Sequence, residues 1–233
     1  MNAKVIFLGD THTLELLPKL VEISDLQNYT LIHVGDSGEG ADYPYVEKST
    51  LKYIHKYFQE INSRLYVCRG NHSNPDFFQK THWANIEFGD RIEFVSDYDI
   101  KTIAGKTCQF VGGAISIDRV DKIENINWWP NEQFEYKPEL AQKVDVLVTH
   151  SAPPYCPPEH FSKMVYDWAA DDKTLLKDLR MERVLVGEIL AICQPKLHVY
   201  GHFHNSTVKE SNGCVHRQLA IDELWHADAF FAG

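Results

Sequence analysis

The sequence predicts a layered α/β fold in which a two-sheet β-sandwich core is flanked by helices. Two observations point to it. In the first third, short apolar runs alternate with stretches that carry apolar residues at helical spacing, the pattern of βαβ units and a largely parallel sheet. From residue 92 onward, short β-like runs dominate and turn dipeptides suited to hairpins separate them. At 233 residues the chain suits one domain, 1–233, with a sizeable core.

The elements follow in order. Residues 3–8 predict a strand, and 14–27 a helix with Leu16, Leu17, Leu20 and Ile23 on one face. A second strand covers 30–34. A second helix covers 45–61, where Val46, Leu51, Ile54, Phe58 and Ile61 recur at helical spacing. Residues 64–68 make a third strand. The runs 92–95, 98–103 and 107–111 predict short strands, with Ala104-Gly105-Lys106 as a hairpin turn. Gly112-Gly113 ends that pattern before a polar, aromatic stretch over 118–138. A strand at 144–149 leads into the Pro-rich loop 152–158, which the proline ring keeps out of regular structure. A helix over 172–192 starts at Asp171 or Asp172 as cap. Asn212-Gly213 then marks a hairpin between 207–209 and 214–220. Antiparallel strands are expected in this second half.

Composition narrows the function classes. A formal net charge of −10 argues against broad electrostatic binding to long nucleic acid or an anionic membrane. A phosphate-bearing substrate remains compatible, because a bound dication can dominate the field inside a cleft. The five cysteines are scattered without a CxxC pair, which favours a reducing compartment and small buried apolar roles. The first strand begins within a few residues of Met1, which leaves no room for a signal peptide, and no run matches a membrane span. The expected location is cytoplasmic.

The chemistry sits where the strands end. Val5 to Leu8 leads to Gly9-Asp10-Thr11-His12, and Leu31 to Val34 leads to Gly35-Asp36. The third strand leads to Gly70-Asn71-His72, the run from Val144 to His150, and Leu197 to Tyr200 to Gly201-His202-Phe203-His204. In open α/β sheets, ligands bind outside the carboxyl ends of the strands, so these side chains converge. Carboxylate, imidazole and amide oxygen together suit Mn, Fe, Zn or Ni. No thiolate is among them, which disfavours a structural zinc. Seven candidates exceed what one ion with an open catalytic position needs. Two ions sharing a carboxylate fit better, an arrangement suited to in-line displacement at phosphorus.

The ordered series GDTH, GD, GNH, a lone strand-end His and GHFH resembles the calcineurin-like metallophosphoesterase superfamily over positions 9 to 204. The resemblance implies a metallophosphoesterase-like fold. It also implies that Asp10, His12 and His204 hold one metal, that Asn71, His150 and His202 hold the other, and that Asp36 bridges them. His72 corresponds to the catalytic histidine that protonates the leaving oxygen, and Glu39 to its acidic partner. The nucleophile implied is a hydroxide between the metals. The implied cofactor is a pair of divalent cations, manganese first, with iron, zinc, nickel or magnesium as alternatives.

Departures limit the subfamily. Protein Ser/Thr phosphatases carry an arginine where Gly40 stands and a glutamate where Ser73 stands. No match to the tyrosine ligand of purple acid phosphatases is present. Arg119 and Arg69 are candidates for holding a phosphate oxygen, against simpler roles as a salt-bridge partner and a loop anchor. Trp128-Trp129 could wall a groove or cap a core. Little length is left for a lid once the core is built, which favours a small or accessible phosphate ester, although residues 115–138 and 152–170 can form rims. The competing readings are a catalytically inactive scaffold of the same fold that binds protein partners, and a protein Ser/Thr phosphatase.

Overall fold

The computed structural model describes residues 4–13, 26–38 and 48–232. The described residues form two packed sheets. The first contains β1 (Val5–Leu8), β2 (Thr30–His33), β3 (Arg64–Val67), β4 (Ile92–Phe94) and β11 (Leu224–His226), in the order β11-β1-β2-β3-β4. The second contains β5 (Ile100–Ile103), β6 (Lys106–Val111), β7 (Val146–Thr149), β8 (Leu197–Tyr200), β9 (Thr207–Ser211) and β10 (Cys214–Gln218), in the order β5-β6-β7-β8-β10-β9.

Side-chain alternation builds the layers. Val5 and Phe7 point to one face of β1 and pack with Ile32, Val34, Phe110, Val146, Val148 and Val199, so the inner faces of both sheets share one core. Ile6 and Leu8 point the other way, beneath α1 (Lys48–Glu60), whose Leu51, Ile54 and Phe58 form a buried stripe at helical spacing. On the opposite flank, α4 (Leu175–Cys193) covers the second sheet through Val186, Ile189 and Leu190 against Leu147. Shorter helices lie at α2 (Trp83–Phe88), α3 (Lys163–Trp168) and α5 (Asp228–Phe231).

The fold class expected from the sequence is the one observed. The helix expected over 14–27 lies almost wholly outside the described residues, as do positions 45–47 of the second. Both hairpins form where expected. Ala104-Gly105 and Asn212-Gly213 have positive φ at both positions, as a tight two-residue hairpin turn requires.

Strand direction needs a correction. The second sheet is not mainly antiparallel: β6, β7, β8 and β10 pair in parallel, and only the edges β5 and β9 run the other way. The strand at 92–94 joins the first sheet in parallel with β3. The burial of every residue in β7 and β8 explains the misreading, since strands covered on both faces lose the alternation that marks an antiparallel sheet.

Candidate metal centre

Five strand ends converge on one crevice. Asp10 and His12 follow β1, Asp36 follows β2, Asn71 and His72 follow β3, His150 follows β7, and His202 and His204 follow β8. The backbone there is shaped for approach rather than for local comfort. His12, Asp36, His202 and His204 all take left-handed φ values between 53° and 67°. Such conformations cost about 1–3 kcal/mol each and persist where surrounding structure over-determines them. Two glycines admit the carboxylates. A Cβ on Gly70 would lie 1.9 Å from Asp36 Oδ1, and one on Gly201 would lie 2.0 Å from Asp10 Oδ1.

The side chains fall into linked clusters. Ligand atoms of Asp10, His12 and His204 lie within 4.8 Å of one another, as do those of Asp36, His150 and His202, and those of His12, Asp36 and His72. Asp36 is thus common to both sides of the crevice. Asn71 belongs with the second group: its Oδ1 lies 3.1 Å from His150 Nε2 and 2.9 Å from His202 Nδ1. His12 Nε2 and His204 Nε2 face each other at 3.2 Å. His204 Nε2 lies 3.3 Å from Asp10 Oδ2.

This donor set fits divalent cations. Asp10 Oδ1 is buried without a hydrogen-bond partner among the described residues, and buried carboxylates without partners are costly unless a cation compensates them. Opposed imidazole nitrogens at hydrogen-bond distance likewise need a proton or a cation between them.

Electrostatics couples the members of the set. Burial opposes charge on Asp36, yet His150 and His72 beside it hold its carboxyl well below the usual range. Burial also opposes charge on His150, but Asp36 and Asp10 outweigh it and lift the ring to about 9. Burial, reinforced by His150, holds His202 well below its ordinary value, and burial lowers His12.

A second layer of hydrogen bonds orients the ligands. His72 N donates to Asp36 Oδ1 at 2.8 Å, and His202 N to Asp10 Oδ2 at 2.9 Å. Asn71 Nδ2 donates to Ser116 Oγ, which donates to buried Glu132, so the amide oxygen is turned into the site. His150 Nδ1 lies 2.9 Å from the carbonyl of Val34, which leaves Nε2 to the crevice.

All seven expected ligands and His72 therefore meet. Glu39, the expected partner of His72, lies outside the described residues, as does Gly40. The two arginines take the simpler of the roles open to them. Arg69 is buried and directs its guanidinium to Asp97 and to the carbonyls of Gly112, Asn131, Glu132 and Gln133, which makes it a loop anchor. Arg119 is turned to Asp172, Thr174 and Asp178 in a surface network at the start of α4. Both guanidiniums are engaged by the protein's own acceptors.

The sequence reading also missed two features. Lys122 is almost wholly buried and places Nζ 3.4 Å from His72 Nδ1; it sits in an irregular stretch where no periodicity marks it. A cavity of about 470 Å³ opens beside Asp36, Asn71, His72, His202 and His204. Its far wall is apolar, built by Ile117, Phe161, Val165, Trp168 and Leu179 rather than by the Trp128-Trp129 pair. The spacing of Phe161, Val165 and Trp168, four and then three residues apart, was the available signal. The expected rims, 115–138 and 152–170, both contribute.

A family model described as calcineurin-like phosphoesterase matches residues 3–206. No curated protein matches this sequence. One solved chain of similar length is 15% identical with a TM-score of 0.56, the match covering 97% of this chain and 95% of that one. A provisionally named 5'-nucleotidase from Staphylococcus aureus, solved with alpha-ketoglutarate, is 11% identical with a TM-score of 0.51. That match covers 95% of this chain and 50% of the nucleotidase. Phosphopantetheinyl hydrolase from Mycobacterium tuberculosis is 14% identical, with 95% and 92% covered and a TM-score of 0.47. At 15% and 11% identity, the first two likenesses are ones of fold.

Proposed function

The chain belongs to the calcineurin-like phosphoesterase family, and on that premise we propose that it hydrolyses a small phosphate ester with an apolar leaving group at a dimetal centre. The observation that carries the reading is the position of Asp36, shared between the Asp10–His12–His204 and Asn71–His150–His202 sides of one crevice. In this reading those two sides each hold one divalent cation, with Asp36 serving both. When bound, the cations supply Lewis acidity and make water acidic enough to ionise near neutral pH.

The chain's own residues do the rest. His72, beside the crevice, protonates the leaving oxygen. Lys122 Nζ lies 3.4 Å from its Nδ1. Glu39 is assigned as the acidic partner that orients the ring. The Glu132–Ser116–Asn71 chain keeps an amide oxygen aimed inward. The wall formed by Phe161, Val165, Trp168 and Leu179 takes up the leaving group and excludes water from it.

Mn-supplemented protein, assayed on aryl phosphate monoesters, aryl phosphodiesters and nucleoside phosphates, tests the proposal. Metal-dependent turnover is expected, strongest on aryl esters. His72→Ala should lower it by roughly 10²–10⁴-fold, the usual contribution of a positioned general acid. Absence of metal-dependent turnover across the panel would overturn the reading.

A further inference from the structure

A second group of metal-type side chains lies outside the crevice, on the flank of the second sheet that α4 covers. Strands β8 and β10 run in parallel with His198 directly opposite His216, so both rings occupy one face. Their Nδ1 atoms face each other at 3.1 Å. Cys214 precedes His216 by two residues on the same face, and its Sγ lies 4.0 Å from His216 Nδ1. Cys156 comes down from the Pro-rich loop. Its Sγ and one nitrogen from each ring lie within 4.8 Å of one another, and all three residues are buried.

The outer nitrogens are already supported. Thr149 Oγ1 donates to the carbonyl of Ser151 at 2.5 Å, so toward His198 Nε2, 2.8 Å away, it acts as acceptor. That places the proton of His198 on Nε2 and directs the lone pair of Nδ1 at His216. Ser211 Oγ, 2.9 Å from His216 Nε2, can accept in the same way. Metal-bound histidines are oriented by such outer hydrogen bonds. Two inward lone pairs at 3.1 Å repel unless a proton or a cation lies between them. In tetrahedral zinc sites, Zn–N bonds of about 2.0–2.1 Å place neighbouring nitrogens about 3.3 Å apart.

We propose that Cys156, His198 and His216 bind one zinc ion that pins the Pro-rich loop following His150 to the second sheet. Thiolate with imidazole selects zinc over manganese, whereas the crevice set contains no sulfur. Access is available through a cavity of about 560 Å³ lined by Tyr155, Leu190, Ser211, Cys214 and His216.

Protein stripped with a chelator and reloaded with Co(II) tests this directly. A sulfur-to-cobalt charge-transfer band in the near ultraviolet is expected, and the sulfur-free crevice cannot produce it. The band should disappear in Cys156→Ser and weaken in His216→Gln, and both variants should bind one equivalent of zinc less than the parent. Asp10→Asn, which impairs the crevice, should keep the band, so failure of this site is distinguishable from failure of the phosphoesterase reading. Absence of the band in the unaltered protein would overturn the proposal whether or not the variants fold. So would a band that survives Cys156→Ser, or zinc content unchanged by it. In either case the two rings share a proton.

Discussion

Asp36 concentrates the chemistry of the crevice in one side chain. A buried carboxylate with nothing beside it would take up a proton, yet His150 and His72 hold Asp36 ionised. Its position is also sterically enforced, because Gly70 leaves room for Oδ1 where any Cβ would intrude. Gly70→Ala should therefore displace the carboxylate without removing it. Misplacement of about 1 Å at a reacting centre costs roughly 10²-fold, so kcat/KM is expected to fall at least that far. Steady-state kinetics over a Mn titration would show the loss persisting at saturating metal. Activity within a few-fold of the parent would mean that Asp36 has latitude the geometry denies it. The residue types were legible in the sequence, because Asp, Asn and His recur after apolar runs. The left-handed backbone at His12, Asp36, His202 and His204 was not, since non-glycine residues give no local sign that neighbours will impose it.

At the scale of elements, α4 carries an untypical residue. Glu182 is buried beneath the crevice, accepts from Ser151 Oγ, and burial pushes its carboxyl up to about 7. A carboxyl raised in the folded state contributes stability that is complete below its unfolded value and is lost as pH rises through about 7. Glu182→Gln has no such loss. Chemical denaturation at pH 5 and pH 8 should show the variant gaining on the parent by on the order of 2–3 kcal/mol at the higher pH. Parallel profiles would mean the carboxyl is ionised in the folded protein without penalty.

Long or strongly punctuated elements were readable from sequence. The stripe of Leu51, Ile54 and Phe58 marked α1, and Asn212-Gly213 marked its hairpin. The helices Trp83–Phe88 and Lys163–Trp168 span six residues each, too few for a period to emerge. Leu224–His226 is a strand because β1 offers it an edge, not because of its own composition.

At the scale of the molecule, the core between the sheets holds the strand ends in register. Phe110 is fully buried there, among Tyr66, Val146 and Val148. Phe110→Ala should cost about 3–5 kcal/mol in urea denaturation, the usual range for emptying such a site. A loss below about 1 kcal/mol would show that the two sheets can close on the gap. The crevice works in the opposite direction, gathering carboxylates and imidazoles that repel or desolvate one another without cations. Mn should accordingly raise the melting temperature, and a chelator should lower it. At a hundredfold excess over Kd the gain is about 2.7 kcal/mol. A melting temperature indifferent to both would argue against metal binding by the folded state.

The sequence by itself determined the α/β layering, the strand ends that carry the Asp, Asn and His side chains of the crevice, and the family. These rest on local order: apolar runs, turn dipeptides, and Asp, Asn or His next to glycine. Only the tertiary structure decided which strands run parallel, that Arg69 and Arg119 serve the protein's own carbonyls and carboxylates, that Lys122 meets His72, and that His198, His216 and Cys156 share one buried spot. Each of these depends on which distant segments become neighbours, and packing and burial set that, not spacing along the chain.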